Sequence, residues 1–234
     1  MTGCVSVLIP AFNEADIIGD TIKAALLAPG VTQVIVIDDA SSDDTSFIAN
    51  SSGANNVIRV EENLGKGGAL NRGLALATGS VLLLLDADLG DSARDAAKIL
   101  QPVLDGSADM TIALFQSNQL ADGQGFSARS GGFGLAVKTA RCGIKLLTGQ
   151  SFRAPLSGQR AVKREIIDKA GGFAQRYGVE VGLTIDALRL GYRVAEVPVN
   201  MAHRGSGRDL AGFIHRGRQF LDVVRTIACK AWNR

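Results

Sequence analysis

The sequence is poor in cysteine, proline and histidine, and these shortages exclude several classes of protein. Its 234 residues include three cysteines, five prolines and two histidines. Cys4, Cys142 and Cys229 lie far apart in the sequence, so we predict neither a disulfide scaffold nor a zinc module. Widely spaced free thiols are typical of a reducing compartment, and we therefore expect a cytoplasmic protein.

Long apolar runs and a large excess of either charge are also missing. The apolar run at residues 81–85 is much shorter than the roughly 20 residues that a membrane-spanning helix needs. The sequence does not open with a basic segment followed by an apolar one, so no secretory signal is predicted there. The 25 basic and 23 acidic residues give a formal net charge of +2, which argues against a dedicated nucleic-acid-binding protein.

Glycine and regular hydrophobic patterns are what the sequence has in quantity. Its 28 glycines suggest tight turns and close approaches of the backbone to ligands. Strand-like and helix-like segments alternate, and the strand at residues 81–85 is apolar on both faces, as in the middle of a parallel sheet. We therefore predict an α/β fold with a doubly wound, mostly parallel sheet flanked by helices. The predicted strands are residues 5–9, 34–37, 57–60, 81–85, 110–115 and 193–199, and the predicted helices are residues 14–28, 43–52, 66–77, 136–147, 179–190 and 210–231.

Two aspartates follow the most apolar of these strands. Because ligands in open α/β sheets bind at the carboxyl ends of the strands, Asp86 and Asp88 are candidate site residues. Alternate residues leaving a strand point the same way, so the two carboxylates would repel each other unless a cation lies between them. Carboxylate oxygens suit Mg²⁺ or Mn²⁺. The alternative is a polar strand end in which Asp88 caps the following helix.

Other candidate residues lie at a second strand end, at a helix start and in a polar loop. Asp39 follows the strand at residues 34–37, in an acidic pair that also occurs in receiver domains, although there the pair follows the first strand. Lys66 lies among glycines at a predicted helix start, which suits a phosphate or is an ordinary glycine turn. His203 lies in a polar loop and is either a third metal ligand or a solvated histidine.

Together these segments resemble the family 2 glycosyltransferases, which have the GT-A fold. The resemblance is carried by residues 7–14, 36–45, 63–67 and 85–88, and it extends over residues 5–90. It implies a metal-dependent enzyme that takes a nucleotide-sugar donor, most often UDP-linked, with Mn²⁺ or Mg²⁺ as cofactor. It further implies a nucleotide-sugar-binding half, residues 1–115, and an acceptor-binding half of the same domain, residues 116–234.

The second half is similar to the glucosyl-3-phosphoglycerate synthases at residues 155–161, 177–183 and 203–204. One departure concerns the loop that grips the acid groups of the acceptor in those enzymes. It carries Arg and Thr beside a Gly there, whereas residues 131–134 of this chain read Gly-Gly-Phe-Gly. Since the first half also resembles polyprenyl-phosphate glycosyltransferases, the acceptor is either a phosphorylated small molecule or a polyprenyl phosphate.

The resemblance also implies roles for individual residues. Asp88 and His203 would hold the metal, and Glu180 would lie beside the sugar or acceptor, with Asp186 as the second candidate. Arg204 or Arg208 would add a positive charge beside the departing diphosphate. The implied donor-binding residues are Pro10, Ala11, Asn13, Glu14, Asp39, Lys66, Asp86 and Ala87.

The predicted C-terminal helix has a broad apolar stripe with basic flanks, which include Arg216, Arg218 and Arg225. Packing in the core or in a homodimer is one interpretation of the stripe. A peripheral contact with the cytoplasmic face of a membrane is the other.

Two other classes of function stay open. A sugar-nucleotide pyrophosphorylase also has a doubly wound sheet, but residues 10–14 lack the glycine-rich, arginine-containing loop that it needs after the first strand. A non-catalytic nucleotide-sugar-binding protein is the third possibility. The presence of Asp39, Asp86, Asp88 and His203 together favours an enzyme over a decayed relative.

Overall fold

The structure is a computed structural model, and it describes residues 4–116, 133–174, 178–203 and 210–232. In the first half of the chain, strands alternate with helices, as the hydrophobic pattern predicts. The strands are β1 (Val5–Ala11), β2 (Val31–Asp38), β3 (Asn56–Arg59) and β4 (Val81–Leu84), and the helices are α1 (Ile18–Leu26), α2 (Thr45–Ser51) and α3 (Gly65–Leu74).

The rest of the chain contains three elements that the sequence pattern does not predict, α4 (Ala96–Leu104), β6 (Arg160–Lys163) and α6 (Arg164–Ala170). β6 has only four residues and α6 continues directly from it, so neither shows a clear period of its own. The elements described after β4 are a 3-10 segment (Ala87–Asp95), α4 (Ala96–Leu104), β5 (Met110–Phe115), α5 (Phe133–Thr148), β6 (Arg160–Lys163), α6 (Arg164–Ala170), α7 (Val179–Arg189), β7 (Val194–Val199) and α8 (Leu210–Trp232).

The strands form one seven-stranded sheet in the order β3-β2-β1-β4-β6-β5-β7. β1 pairs in parallel with both β2 and β4, and β5 pairs in parallel with β7. β6 lies antiparallel between β4 and β5, so the other strands described here all run in one direction. The predicted α/β class and mostly parallel sheet are confirmed.

The sheet separates two hydrophobic layers, because successive side chains of a strand point to opposite faces. Val7 and Ile9 of β1 belong to the layer that α1 and α4 cover, whereas Leu8 belongs to the layer that α3, α6 and α7 cover. A third cluster joins β5 to α5, α7 and α8. None of the described helices has the length and low polarity that a bilayer-crossing segment needs.

The strand directions bring five separate parts of the chain to one edge of the sheet. The segments that follow β1, β2, β4 and β7 emerge there, because these strands run the same way. β6 runs in the opposite direction, so the segment that precedes it, residues 155–159, arrives at the same edge. This edge is where the sequence predicted a ligand site.

Candidate active site

Asp86 and Asp88 lie just past the end of β4, where the backbone turns from strand to 3-10 segment. Asp88 Oδ1 is 2.8 Å from His203 Nδ1. One ligand atom each from Asp86, Asp88 and His203 lie within 4.8 Å of one another. Two carboxylate oxygens and an imidazole nitrogen at this separation are a donor set that fits Mn²⁺ or Mg²⁺.

His203 is held by Asp88 on one side and by an aromatic ring on another. Its ring stacks on Phe115 at the end of β5, with centroids 5.2 Å apart and planes at 17°. Burial lowers the pKa of the imidazole, but the hydrogen bond to Asp88 and the charge of Asp86 outweigh it and raise that pKa overall. The side chain is 38% exposed, so an incoming ligand can reach it.

Asp86 accepts a hydrogen bond on each carboxylate oxygen. Lys66 Nζ donates to Oδ1 at 2.7 Å, and Gln159 Nε2 donates to Oδ2 at 2.6 Å. Burial raises the pKa of this carboxyl, but the positive charge of Lys66 outweighs it, with His203 adding to the effect, and the pKa is lowered overall. Asp86 is therefore a carboxylate whose orientation is set from two sides.

Lys66 joins the carboxylate of Asp86, after β4, to that of Glu180 in the second half. Lys66 lies in the first turn of α3. Its ammonium is 2.7 Å from Asp86 Oδ1 and 2.9 Å from Glu180 Oε1. Burial opposes the charge of this lysine, yet the two carboxylates raise its pKa above the ordinary value. Glu180 itself lies in the first turn of α7 and is only 7% exposed.

The segment before β6 completes the site, and sequence reasoning missed its role. A Cβ atom on Gly158 would collide with Lys66 Nζ and both oxygens of Asp86, so a larger residue there would have to displace these two side chains. Gln159 orients Asp86, as described above. The signal for this segment is a glycine and a glutamine directly before a short strand that begins with arginine.

Arg160 is fully buried and fastens this segment to α7. Its guanidinium donates to the carbonyl oxygens of Pro155 and Ser157 at 2.9 and 2.8 Å and to Thr184 Oγ1 at 2.8 Å. Thr184 in turn donates to the carbonyl of Glu180 at 2.8 Å. Burial lowers the pKa of Arg160 to about 10, against the charges of Glu180 and Glu196. Through Thr184, Arg160 thus helps to hold the backbone of Glu180 in position.

The residues predicted to hold the nucleoside lie at the same edge, after β1 and β2. Asp39 is buried, and its two oxygens accept from the backbone N–H groups of Leu64 and Gly65 at 2.7 and 2.9 Å. It therefore fastens the start of α3, the helix that carries Lys66. Asn13 has a positive φ of 56°, and its side chain accepts from the backbone N–H of Ser42 at 2.8 Å.

The other predicted donor-binding residues differ in burial and in the contacts that their backbone makes. Pro10 is half-buried and Ala11 is buried at the end of β1, and the backbone carbonyl of Glu14 starts the first turn before α1. Ala87 packs in the core, and its carbonyl accepts from Thr21 Oγ1 at 2.8 Å. The side chain of Ala87 is thus turned away from any ligand, and its carbonyl is already engaged.

Several predicted site residues lie outside the described part of the chain. These are Arg204 and Arg208, and the same holds for Tyr177 and the glycines at positions 131 and 132, which belong to the segments compared with the synthases. The positive charge expected beside the diphosphate therefore stays a prediction. So do the binding and catalytic roles assigned to Glu180, Asp88 and the other residues brought together at this edge.

A comparison of the sequence with models of protein families identifies the family of this chain. The family model described as Glycosyl transferase family 2 matches residues 6–173. The chain belongs to glycosyl transferase family 2. The matched range contains the strands β1 to β6 and the residues of the site except Glu180 and His203. The resemblance found in the sequence motifs is confirmed.

Two relatives show how far the similarity of this family 2 glycosyltransferase extends. It is 34% identical over 202 residues to the uncharacterized protein MJ1222 of Methanocaldococcus jannaschii, covering 83% of this chain and 80% of the relative. It is 33% identical over 228 residues to the glucosyl-3-phosphoglycerate synthase of Mycobacterium tuberculosis, covering 91% of this chain and 70% of the relative.

The fold is also similar to a solved structure of that synthase in complex with Mn²⁺, UDP-glucose and phosphoglyceric acid. The TM-score is 0.76 at 28% sequence identity, and the match covers 97% of this chain and 79% of the other. The second half, including β6 and β7, is therefore part of the shared architecture and not an addition to it.

Proposed function

We propose that this protein transfers a sugar from a UDP-sugar to a phosphorylated acceptor and needs Mn²⁺ or Mg²⁺ to do so. The observation that carries the proposal is the group of ligand atoms from Asp86, Asp88 and His203 within 4.8 Å. The similar synthase of M. tuberculosis is known in complexes with UDP-glucose and Mn²⁺ and with UDP and Mg²⁺, which supports this donor and these cations.

Asp88 and His203 are the residues we assign to the metal, with Asp86 beside them. A bound divalent cation supplies Lewis-acid stabilisation of the negative charge that develops on the diphosphate as the glycosidic bond breaks. Because Lys66 and Gln159 already hold both oxygens of Asp86, we assign that carboxylate mainly to orientation of the ribose. Asp88 keeps one oxygen that no described residue engages, which suits direct ligation.

The chain's own residues bind and orient the donor in this proposal. Residues 10–14 and Asp39 border the place expected for the nucleoside, at the ends of β1 and β2. Lys66 lies between this place and Glu180, so its charge is available to an anionic donor. We accordingly assign residues 1–115 to the donor and residues 116–234 to the acceptor.

Glu180 is the residue we assign to the sugar or the acceptor. It is nearly enclosed and ion-paired with Lys66, so its carboxylate can accept a hydrogen bond from a hydroxyl group at a fixed position. An acceptor phosphate is already an anion and needs little help from a general base. We therefore propose a phosphate or other acid group on the acceptor.

We also propose a cytoplasmic location, with which the exposed free cysteines Cys4, Cys142 and Cys229 agree.

Calorimetric titration of UDP in the presence and absence of Mn²⁺ tests the metal site. We expect Asp88→Asn and His203→Ala each to weaken Mn²⁺-dependent UDP binding by tenfold or more, because each removes a proposed ligand. Asp91→Asn is the matched control, since Asp91 lies in the same 3-10 segment and its side chain is 81% exposed. Unchanged Mn²⁺-dependent affinity in both site variants would remove them from the metal site.

A turnover assay with two acceptor classes tests the reaction. Each UDP-sugar that binds is incubated with Mn²⁺ and either 3-phosphoglycerate or a short-chain polyprenyl phosphate, and the release of UDP is followed. Transfer to one of them identifies the acceptor class, and NMR of the anomeric proton of the product gives the stereochemistry. UDP binding without transfer or donor hydrolysis under any of these conditions would favour the non-catalytic alternative.

A further inference from the structure

Exposed large hydrophobic side chains are concentrated on two neighbouring helices, α5 and α8. Five of those exposed in the described residues lie there, at Leu135, Leu146, Leu221, Val224 and Trp232. The two helices pack so closely that Ile227 of α8 leaves no room for a side chain on Gly143 of α5. An apolar surface of this kind on a single chain marks a site of interaction.

The exposed apolar residues form one stripe along each helix. Leu135, Cys142 and Leu146 of α5 are spaced i, i+7, i+11, and Leu221, Val224, Ala228 and Trp232 of α8 are spaced i, i+3, i+7, i+11. Both stripes lie away from the buried hydrophobic residues of their own helix, which are Ala136, Ala140 and Ile144 in α5 and Val223 in α8. Since the helices are neighbours, the stripes form a single outward surface, which we name the α5–α8 face.

Basic residues border the α5–α8 face on both sides. Lys138, Arg141 and Lys145 are exposed at i, i+3 and i+7 along the outer edge of α5, and Arg225 is exposed on α8. α5 contains no acidic residue, and Asp222 is the one acidic residue of α8. The surface therefore combines exposed hydrophobic groups with positive charge.

We propose that the α5–α8 face binds the surface of a membrane that contains anionic lipids. Apolar side chains can enter the interface while lysine and arginine pair with lipid phosphates. A second copy of the chain fits less well, because its basic borders would meet the same basic borders with almost no acid between them. The proposal goes beyond the sugar transfer, since it names a contact that the donor site does not need.

The position of the face suits an enzyme that works beside a membrane. α8 begins at residue 210, a few residues after His203, and α5 follows β5, whose last residue Phe115 stacks on His203. Along the chain, therefore, α8 is the helix that follows His203, and α5 is the helix that follows Phe115. If the proposed acceptor is a polyprenyl phosphate, this contact would keep the enzyme on the membrane that contains it.

The chain carries its own reporter for this contact. Trp232 is its only tryptophan, it lies in the last turn of α8, and it is 90% exposed. We expect its emission to shift to the blue on titration with phosphatidylglycerol vesicles at low salt, and the protein to sediment with them. Phosphatidylcholine vesicles should give at least tenfold weaker binding, and added salt should weaken binding to the anionic vesicles.

Two sets of substitutions separate the charge from the apolar surface. Lys138→Gln, Lys145→Gln and Arg225→Gln together should weaken binding by roughly a hundredfold, since each basic residue near an anionic surface contributes roughly fivefold. The control triple is Lys23→Gln, Arg94→Gln and Lys98→Gln, which removes exposed charges elsewhere. Leu146→Ser with Leu221→Ser should also weaken binding, whereas Leu27→Ser with Phe47→Ser should not.

The proposal is overturned if wild-type protein neither sediments with anionic vesicles nor changes its Trp232 emission. It is also overturned if light scattering shows a dimer in which Trp232 emits in the blue without lipid, because a second copy then covers the face. UDP binding with Mn²⁺ is measured on the same preparations. Failure to bind vesicles with normal UDP binding thus rejects the membrane contact and leaves the proposed reaction intact.

Discussion

At the scale of single residues, the site depends on Lys66, whose buried ammonium lies between the carboxylates of Asp86 and Glu180. Lys66 comes from α3, Asp86 from the end of β4 and Glu180 from α7, so the ion pairs join the two halves of the chain. Each carboxylate would be costly to bury alone, and the lysine offsets that cost. The close approach of these groups is possible because position 158 has no side chain.

Substitution of Gly158 tests this arrangement directly. Gly158→Ala should reduce turnover by at least tenfold, because the new methyl group must displace the Lys66 ammonium or the Asp86 carboxylate. The measurement is kcat and KM for the donor together with the melting temperature. Gly106→Ala is the control: its φ is +79° and a side chain there meets open space, so it should cost about 1 kcal/mol of stability and no activity. Normal turnover of Gly158→Ala would mean that the carboxylate can move without consequence.

At the scale of secondary structure, the second half of the sheet is fastened by an ion cluster at the edge opposite the site. Asp109 lies just before β5 and accepts from Lys163 Nζ of β6 at 2.7 Å. Arg193, just before β7, donates to it from its backbone N–H at 2.9 Å and from Nε at 3.0 Å. The hydrogen bonds of Arg193 lower the pKa of this buried carboxyl against the effect of burial, and Lys163 adds to them.

This cluster predicts a defined dependence of stability on pH. The pKa of Asp109 is lower in the folded chain than the ordinary value of about 3.9, so its carboxylate stabilises the fold at pH values above that. The contribution is lost as the pH falls from about 5 through the unfolded pKa toward the folded one. Asp109→Asn should therefore lower the free energy of unfolding by roughly 2 kcal/mol at pH 7 and by progressively less in acid.

Urea unfolding of wild type and Asp109→Asn between pH 3 and pH 7 measures this difference. Asp20→Asn is the control, because Asp20 is exposed and its pair with Lys23 at 3.7 Å is worth little. A difference between wild type and Asp109→Asn that stays constant across the pH range would show that the charge of Asp109 does not cause it.

The same scale explains what the sequence could predict. β1, β2, β4 and β5 are apolar runs with a clear boundary, and the prediction for β5 matches the observed Met110–Phe115. Asp86, Asp88 and His203 were predicted as one group because their chemistry is shared. Gln159 and Arg160 were missed because their importance comes from partners more than 20 residues away, Asp86 and Thr184. β6 was missed because its four residues are too few to show a period.

At the scale of the whole molecule, the two halves form a single sheet. β6 of the second half pairs with both β4 and β5 of the first half, and the Lys66–Glu180 ion pair joins α3 to α7. Because β6 lies between β4 and β5 in the strand order, the first half has a continuous sheet only with a strand of the second half. The donor half and the acceptor half thus differ in proposed function but are not separate folding units, and we expect the chain to unfold as one unit.

Scanning calorimetry tests this unity together with the proposed donor site. The protein should show one transition, and UDP with Mn²⁺ at about 100 times the dissociation constant should stabilise it by about 2.7 kcal/mol. For a chain of this size that corresponds to a rise in melting temperature of roughly 5–10 °C. Because ligand binding to one cooperative unit stabilises all of it, the whole transition should move. Two transitions, or a shift of only part of the heat absorption, would show that the halves unfold separately and that the donor is bound by one of them alone. UDP without the metal ion is the control, and it should give a clearly smaller shift, since the three candidate ligand groups at the end of β4 and in the loop after β7 then contribute no metal-mediated binding.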